Sequence, residues 1–195
     1  EKTDKKWETI DKNNKTPSAP ELDDLIRLHY LISQKKTRTV LEFGLGKSTS
    51  VILDALNKNK AAYEKYVTDN LRTSNLFELH SIDNNPKWLN RVKKIHNHQT
   101  RFFTYITKLK TGTFNDRLCT YYDPLPNIRA DFIYLDGPDQ FSSVGDVRGL
   151  STNHSDRMPM AADLLVIEHF FEPGTMILID GRTANARFLK SNFQL

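Results

Sequence analysis

Thr39-Val40-Leu41-Glu42-Phe43-Gly44-Leu45-Gly46-Lys47-Ser48-Thr49 is the stretch on which the reading of this chain turns. A short apolar run breaks into closely spaced glycines and then enters a helical pattern, with Val51, Ile52, Ala55 and Leu56 on the inward face. A buried strand that turns sharply into a helix presents backbone N–H groups and a positive dipole end. Together they make a seat for an anionic or nucleotide-like ligand.

The details of the turn separate the families that use one. The phosphate-binding pattern G-x-x-x-x-G-K-[ST] finds its second half in Gly46-Lys47-Ser48, but its first glycine falls on Leu41. The dinucleotide pattern G-x-G-x-x-G fits Gly44 and Gly46, yet its third glycine is Thr49, whose branched side chain is expected to hold the helix away from the strand. Glu42, just before the turn, would repel a triphosphate or pyrophosphate and attract an ammonium group. The expected ligand therefore carries positive charge near this turn.

Glu42-Phe43-Gly44-Leu45-Gly46 resembles the first motif of the class I S-adenosylmethionine (SAM)-dependent methyltransferases, acidic-x-Gly-x-Gly. The resemblance implies that the glycine turn holds the methionine part of the cofactor and that Glu42 acts on its amino end, through water or backbone. The continuation Gly46-Lys47-Ser48-Thr49 is similar to the branch whose turn closes with hydroxyl residues. Ser48 and Thr49 are then implied to hydrogen-bond the cofactor carboxylate beside the helix N-terminus, although the two residues suit an ordinary first helical turn equally well.

A second strand pattern, Leu76-Phe77-Glu78-Leu79-His80-Ser81-Ile82-Asp83, ends in an acid and leads into Asn84-Asn85-Pro86, where proline opens a helix. An acid at the end of this strand is where a Rossmann-like fold grips ribose hydroxyls, so Asp83 is the candidate ribose ligand, with a plain helix cap as the alternative. The polar, Lys/Asn-rich residues 57–75 that lengthen the interval read as an insertion or an extended helix.

Ala130-Asp131-Phe132-Ile133-Tyr134-Leu135-Asp136-Gly137-Pro138 delivers Asp136 from a third strand into a turn. In open α/β sheets ligands bind beyond the carboxyl ends of the strands, so Asp136 should face the same crevice as Gly44 and Asp83. Related methyltransferases place their fourth motif here, and Asp136 becomes the catalytic or substrate-orienting candidate; a turn-forming aspartate is the alternative. Thr175-Met176-Ile177-Leu178-Ile179-Asp180 is a further strand. Asp136 and Asp180 on adjacent strand ends could bind a divalent cation, but Gly181 stands where catechol-type relatives carry an Asn ligand, so no metal is assigned. Arg182 would neutralise Asp180 or hold an acidic acceptor.

The remaining segments suit one α/β domain over residues 17–195, preceded by a polar arm, residues 1–16, with Trp7 and Ile10 as its large apolar residues. Residues 21–34 place Leu22, Leu25, Ile26, Leu28 and Leu31 at helical spacing, and Trp88, Leu89, Val92 and Ile95 predict another inward face. Residues 101–109 suit a strand, residues 159–171 a buried helix opened by Pro159, and residues 184–193 a last crossover helix. The predicted fold is a Rossmann-like three-layer α/β sandwich with a mostly parallel sheet. The resemblance implies strand order 3-2-1-4-5 and two closing strands that the sequence does not supply.

Composition narrows the function classes. Among 195 residues, 28 basic and 24 acidic side chains give a net charge of +4, spread along the chain as solvated helix faces, so no nucleic-acid partner is expected. No apolar stretch approaches the roughly 20 residues of a membrane span. A single cysteine, Cys119, excludes an internal disulfide and suggests a reducing, cytoplasmic setting. There is no G-x-S-x-G elbow for a Ser-His-Asp hydrolase. His96 and His98 lack the companions of a structural zinc site, and His169 beside Glu168 reads as a structural histidine. Residues 139–157 form a connection long enough to be a lid, with Gly145 and Gly149 as hinges.

The expected activity is SAM-dependent methyl transfer to a small-molecule acceptor, with oxygen as the acceptor atom implied by the resemblance. Two other classes stay open: a P-loop-like nucleotide hydrolase using Lys47 and Ser48, and a non-catalytic Rossmann-like binding module.

Overall fold

Alternation of side chains along a strand buried on both faces builds two cores, and the strand that does so here is β1 (Thr39–Phe43), buried at every position. In the computed structural model, which describes residues 21–157, 160–181 and 183–194, β1 is followed by β2 (Glu78–Asp83), β3 (Phe102–Ile106), β4 (Lys108–Phe114), β5 (Arg117–Asp123), β6 (Phe132–Leu135) and β7 (Met176–Ile179). Five of them form a parallel sheet of order β3-β2-β1-β6-β7, and β4 and β5 pair antiparallel as a separate hairpin. With the hairpin set aside, this is the 3-2-1-4-5 order expected, and the fold is Rossmann-like. Val40 pairs with Leu79 and Phe132, and Phe43 with Ile82 and Leu135, so β1, β2 and β6 end nearly flush.

One face of the sheet packs Val40, Leu79, Phe132 and Tyr134 against Leu28 and Ile32 of α1 (Leu22–Gln34) and Ile52, Ala55 and Leu56 of α2 (Lys47–Asn70). The opposite face packs Leu41, Phe43, Ile82, Ile133 and Leu135 against Leu109, Cys119 and Tyr122 of the hairpin, Leu164 and Leu165 of α4 (Asp163–Ile167), and Phe188 and Leu189 of α5 (Thr183–Asn192). Each such fully buried aliphatic or phenyl side chain contributes about 1.5–3 kcal/mol. Helix α3 (Pro86–His96) lies against β2 and β3; Asn85 caps it by accepting from Lys87 N at 3.0 Å, and Pro86 opens it.

The hairpin is the main departure from expectation. The strand predicted over residues 101–109 stops at Ile106, and Leu109 belongs instead to β4, buried under the sheet. A two-residue turn at Asn115 and Asp116, with φ of 47° and 59°, reverses the chain into β5; positive φ at both positions is the turn geometry that hairpins favour. The crossover from β3 to β6 is thus made by antiparallel strands rather than by a helix.

The buried helix predicted over 159–171 is shorter than expected. Its described part is the one-turn α4 followed by a 3₁₀ turn (Glu168–Phe170), with Phe170 72% exposed; Pro159 lies outside the described residues. Within that turn it is Glu168 that is buried, its carboxylate accepting from Gln194 N, while His169 is exposed and not a core histidine. On α1, Leu22 and Ile26 face outward, and on α3 Ile95 does the same, because the helices meet the sheet through narrower stripes than their apolar content suggests. The arm over residues 1–16 also lies outside the described residues. Among the described residues no helix is long and apolar enough to cross a membrane.

Candidate functional site

The turn after β1 is clamped between its neighbouring strands. Gly44 N donates to Ile82 O of β2 at 2.8 Å, while Phe43 O accepts from both Asp136 N (3.0 Å) and Gly137 N (2.6 Å) beyond β6. Gly44 has φ of +102°, and a Cβ built on it would lie 3.0 Å from Gly137 N, so this position requires glycine on both conformational and steric grounds. Gly46 differs: a Cβ there would meet no atom within 4 Å, which leaves open space in front of the first turn of α2.

Glu42 has no exposed surface. Its Oε1 accepts from Ser48 Oγ at 2.7 Å, and its Oε2 from Thr49 Oγ1 at 2.9 Å and Ser81 Oγ at 2.6 Å. Burial pushes this carboxyl from 4.5 up to about 7, the three hydroxyl donors pull in the other direction, and the charge of Asp136 adds to the rise. Thr49 also accepts from Gly46 N at 3.1 Å, so its hydroxyl joins β1, the turn and α2. The branched residue that was expected to hold the helix away from the strand is instead fully buried and bonded across the gap.

Asp83 is buried at the end of β2, with Oδ2 accepting from Leu45 N at 2.8 Å and Oδ1 from Asn85 N at 2.7 Å. It therefore fastens the glycine turn to β2 and starts α3 at the same time. Burial raises its pKa, against the pull of N–H groups from Leu45, Asn85 and Asn84 and with a further push from Asp139. Asp136, half-buried, follows β6 directly, and Asp180 follows β7, its N–H donating to Leu135 O at 3.1 Å. The pairing of Leu135 with Ile179 makes these two acids successive neighbours at the sheet's carboxyl edge. Buried Tyr134 registers the field there: its hydroxyl is pushed far up by burial first, and then by Asp136, Asp180 and Glu42.

Glu42, Gly44, Gly46, Ser48, Thr49, Asp83 and Asp136 thus come together at one edge of the sheet, with Ser48 and Thr49 turning their hydroxyls to Glu42. Arg182 lies outside the described residues. No three His, Cys, Asp or Glu side chains converge as metal ligands among the described residues. His96 shares a 2.8 Å hydrogen bond with Ser50, and its ring lies 6.4 Å from that of His98.

A groove of about 840 Å³ opens beside this cluster, lined by Asn84, Thr107 and Lys108 at the strand ends and by Asp123, Ser142 and Val144 on the hairpin side. Thr107 N donates to Asp83 O at 3.0 Å, which joins the groove to the end of β2, although Gly44, Gly46, Asp83 and Asp136 do not line it. The connection expected to be a lid is its far wall, a strap fastened to β4: Val144 N donates to Leu109 O and Thr111 N to Val144 O, and Ser143 Oγ meets Thr152 Oγ1 at 2.8 Å.

Sequence reasoning missed four contributors. Ser81 is a fully buried polar residue of β2 in register with Glu42; β2 also carries Glu78, His80 and Asp83, so its sequence did not single Ser81 out. Gly137 was visible only as a turn former, whereas it is the partner that Gly44 packs against. Tyr122 and Asp163 come from the unforeseen hairpin and the helix below it: Tyr122 N donates to buried Asp163 Oδ1 at 2.8 Å, and the Tyr122 ring lies 5.9 Å from that of Phe43.

The arrangement is rich in acids and offers open space at one backbone turn. No protein-family model matches the chain, and no curated protein matches it significantly, so what stands is a Rossmann-like parallel α/β fold with a hairpin in place of one crossover helix.

Proposed function

We propose that this chain binds SAM at the β1–α2 turn and catalyses methyl transfer to the oxygen of a small-molecule acceptor. The observation that carries the proposal is the position of the acidic-x-Gly-x-Gly turn. It stands between β1 and β6, where the strand order reverses, which is where open α/β sheets bind their ligands. The open space before Gly46 fits close approach of a ligand to backbone, and the acidic edge suits a sulfonium and an ammonium group.

In this reading the backbone from Gly44 to Gly46 receives the methionine part. Glu42, Ser48 and Thr49 keep that backbone in shape from beneath it. Asp83 takes the ribose hydroxyls with the lone pairs left over by Leu45 and Asn85. When bound, SAM supplies an electrophilic methyl group, whose carbon–sulfur bond breaks as a carbon–oxygen bond to the acceptor forms. Asp136 orients the acceptor hydroxyl and takes its proton, and the groove beside Thr107 and Lys108 limits the geometries open to bound molecules.

A thermal-shift titration with SAM, S-adenosylhomocysteine, NAD and ATP with magnesium tests the proposal. Ligand at a hundred times its dissociation constant adds about 2.7 kcal/mol, or roughly 5–11 °C for a chain of this size. A rise with SAM and S-adenosylhomocysteine alone is expected. A rise with ATP alone, or with none of the four, would overturn it.

A further inference from the structure

Helix α2 is longer than the sheet beside it requires. Its 24 residues span about 36 Å, whereas the five residues of β1 span about 17 Å. The helix starts at the carboxyl end of β1 and reaches the amino end by Asn59, whose side-chain amide donates to Ile32 O and Thr37 O, both at 3.0 Å. The next three turns run past the sheet. They carry Tyr63, Tyr66 and Val67 over the α1–β1 connection, and together with Lys35, Lys36 and Arg38 these residues enclose a pocket of about 390 Å³, at the opposite end of the sheet from the glycine turn. That volume lies within the range of small-molecule sites.

The charges of this pocket do not cancel. Arg38 is committed to Asp131, through Nε at 3.1 Å, and to Glu172 at 2.7 Å, and Glu172 also takes Arg129 at 2.8 Å, so two guanidinium groups balance two carboxylates. Lys35 and Lys36 take part in no ion pair among the described residues. Lys36 stands at φ of +54° after α1, a position that glycine would fill without strain, and its Nζ lies 5.0 Å from the centre of the Tyr63 ring. Tyr66, 64% exposed, and Leu71 complete an apolar wall with buried Val67 beneath it.

Two unbalanced lysines at the rim and two phenol rings on the wall match a ligand that joins a doubly charged anion to a flat ring. We infer that this pocket is a second ligand site, for a nucleoside monophosphate, with its base on Tyr66 and its phosphate between Lys35 and Lys36. The inference does not depend on the proposed methyl transfer, because the two sites lie at opposite ends of the strands.

The test is a titration of the full chain with guanosine monophosphate, followed by calorimetry and by backbone amide NMR shifts. Saturable binding is expected, with the shifted amides in residues 35–38 and 63–71, undiminished by excess S-adenosylhomocysteine; guanosine or inorganic phosphate alone binds more weakly. The double variant Lys35→Ala/Lys36→Gly and the single variant Tyr66→Ala should each weaken binding about tenfold or more. Lys36 and Tyr66 are exposed, Lys35 is half-buried but in no ion pair among the described residues, and glycine relieves the backbone at position 36, so their melting temperatures should stay near that of the parent. Absence of saturable binding, equal affinity in the variants, or displacement by S-adenosylhomocysteine would each overturn the inference.

Discussion

Gly44 and Gly137 meet backbone to backbone where β1 and β6 end: a Cβ on Gly44 would fall 3.0 Å from Gly137 N, and a Cβ on Gly137 would fall 3.1 Å from Gly44 N and 2.9 Å from the Tyr122 hydroxyl. The absence of a Cβ on either residue lets the two strand ends approach this closely, and so sets the placement of Asp136 relative to the turn. Gly44→Ala should cost about 1–3 kcal/mol, from strain at φ of +102° and overlap with fixed backbone, and Gly137→Ala a similar amount. Gly46→Ala has free space and should cost less than about 1 kcal/mol, while reducing the melting shift produced by SAM. Chemical denaturation of the three variants, with and without SAM, checks the contrast.

Glu42 makes stability depend on pH in an unusual direction for a carboxylate. Its folded pKa, about 7, lies above the ordinary 4.5, so the folded state holds a proton that the unfolded chain gives up. Stability from this residue is fully present below about pH 4.5 and is lost as pH rises through 7, by a total on the order of 3 kcal/mol. Buried Asp163, also pushed up to about 7, acts in the same direction. Glu42→Gln should therefore flatten the decline in melting temperature between pH 5 and pH 8, and Glu42→Gln with Asp163→Asn should flatten it further.

Asp131 holds the amino end of β1 by accepting from Thr39 N at 2.9 Å, from Arg38 N at 3.2 Å with each oxygen, and from Arg38 Nε at 3.1 Å. Removing the carboxylate leaves a partly buried guanidinium and two backbone N–H groups, those of Arg38 and Thr39, without it. Asp131→Ala should cost about 3–5 kcal/mol, and Asp131→Asn less, since the amide oxygen still accepts. Urea unfolding of the two variants measures both values.

On the proposed activity, Asp83 and Asp136 should separate binding from chemistry. Asp83→Asn should weaken SAM by about tenfold or more while keeping the fold, because the amide oxygen can still accept one backbone N–H. Asp136→Asn should leave SAM affinity nearly unchanged and slow transfer by about 100-fold or more. Calorimetry with SAM and single-turnover transfer to an acceptor found by screening provide the two readouts.

Part of the sheet was legible because parallel strands buried on both faces are nearly continuous apolar runs, as β1 and β6 are. β7 is an apolar run at a half-buried edge, and β2, with Leu79 and Ile82 alone as apolar residues, was legible from the acid that ends it and the proline-opened helix after it. The edge strand β3 and the hairpin were less so. Phe102 to Ile106 and Lys108 to Phe114 are both rich in Thr, Phe and Tyr or Lys, and only the Asn115-Asp116 pair, with its tolerance of positive φ, separates a hairpin from one longer strand. The outward faces of Leu22, Ile26, Ile95 and Phe170 were illegible for another reason. Helical spacing says which residues share a face, while how wide a stripe is covered depends on the partner that packs there.

What the sequence by itself determined is local and periodic: a strand that must be buried, a glycine turn into a helix, acids at the ends of successive strands, and their order along an α/β chain. Tertiary structure alone decided which of those groups touch. It turned Ser48, Thr49 and Ser81 onto Glu42, set Gly44 against Gly137, spent two N–H groups on Asp83, and extended α2 past the sheet to enclose Lys35 and Lys36 with Tyr63 and Tyr66. The physical reason is that burial and hydrogen-bond satisfaction are properties of the packed neighbourhood, assembled from residues far apart in the chain, and no local pattern encodes them.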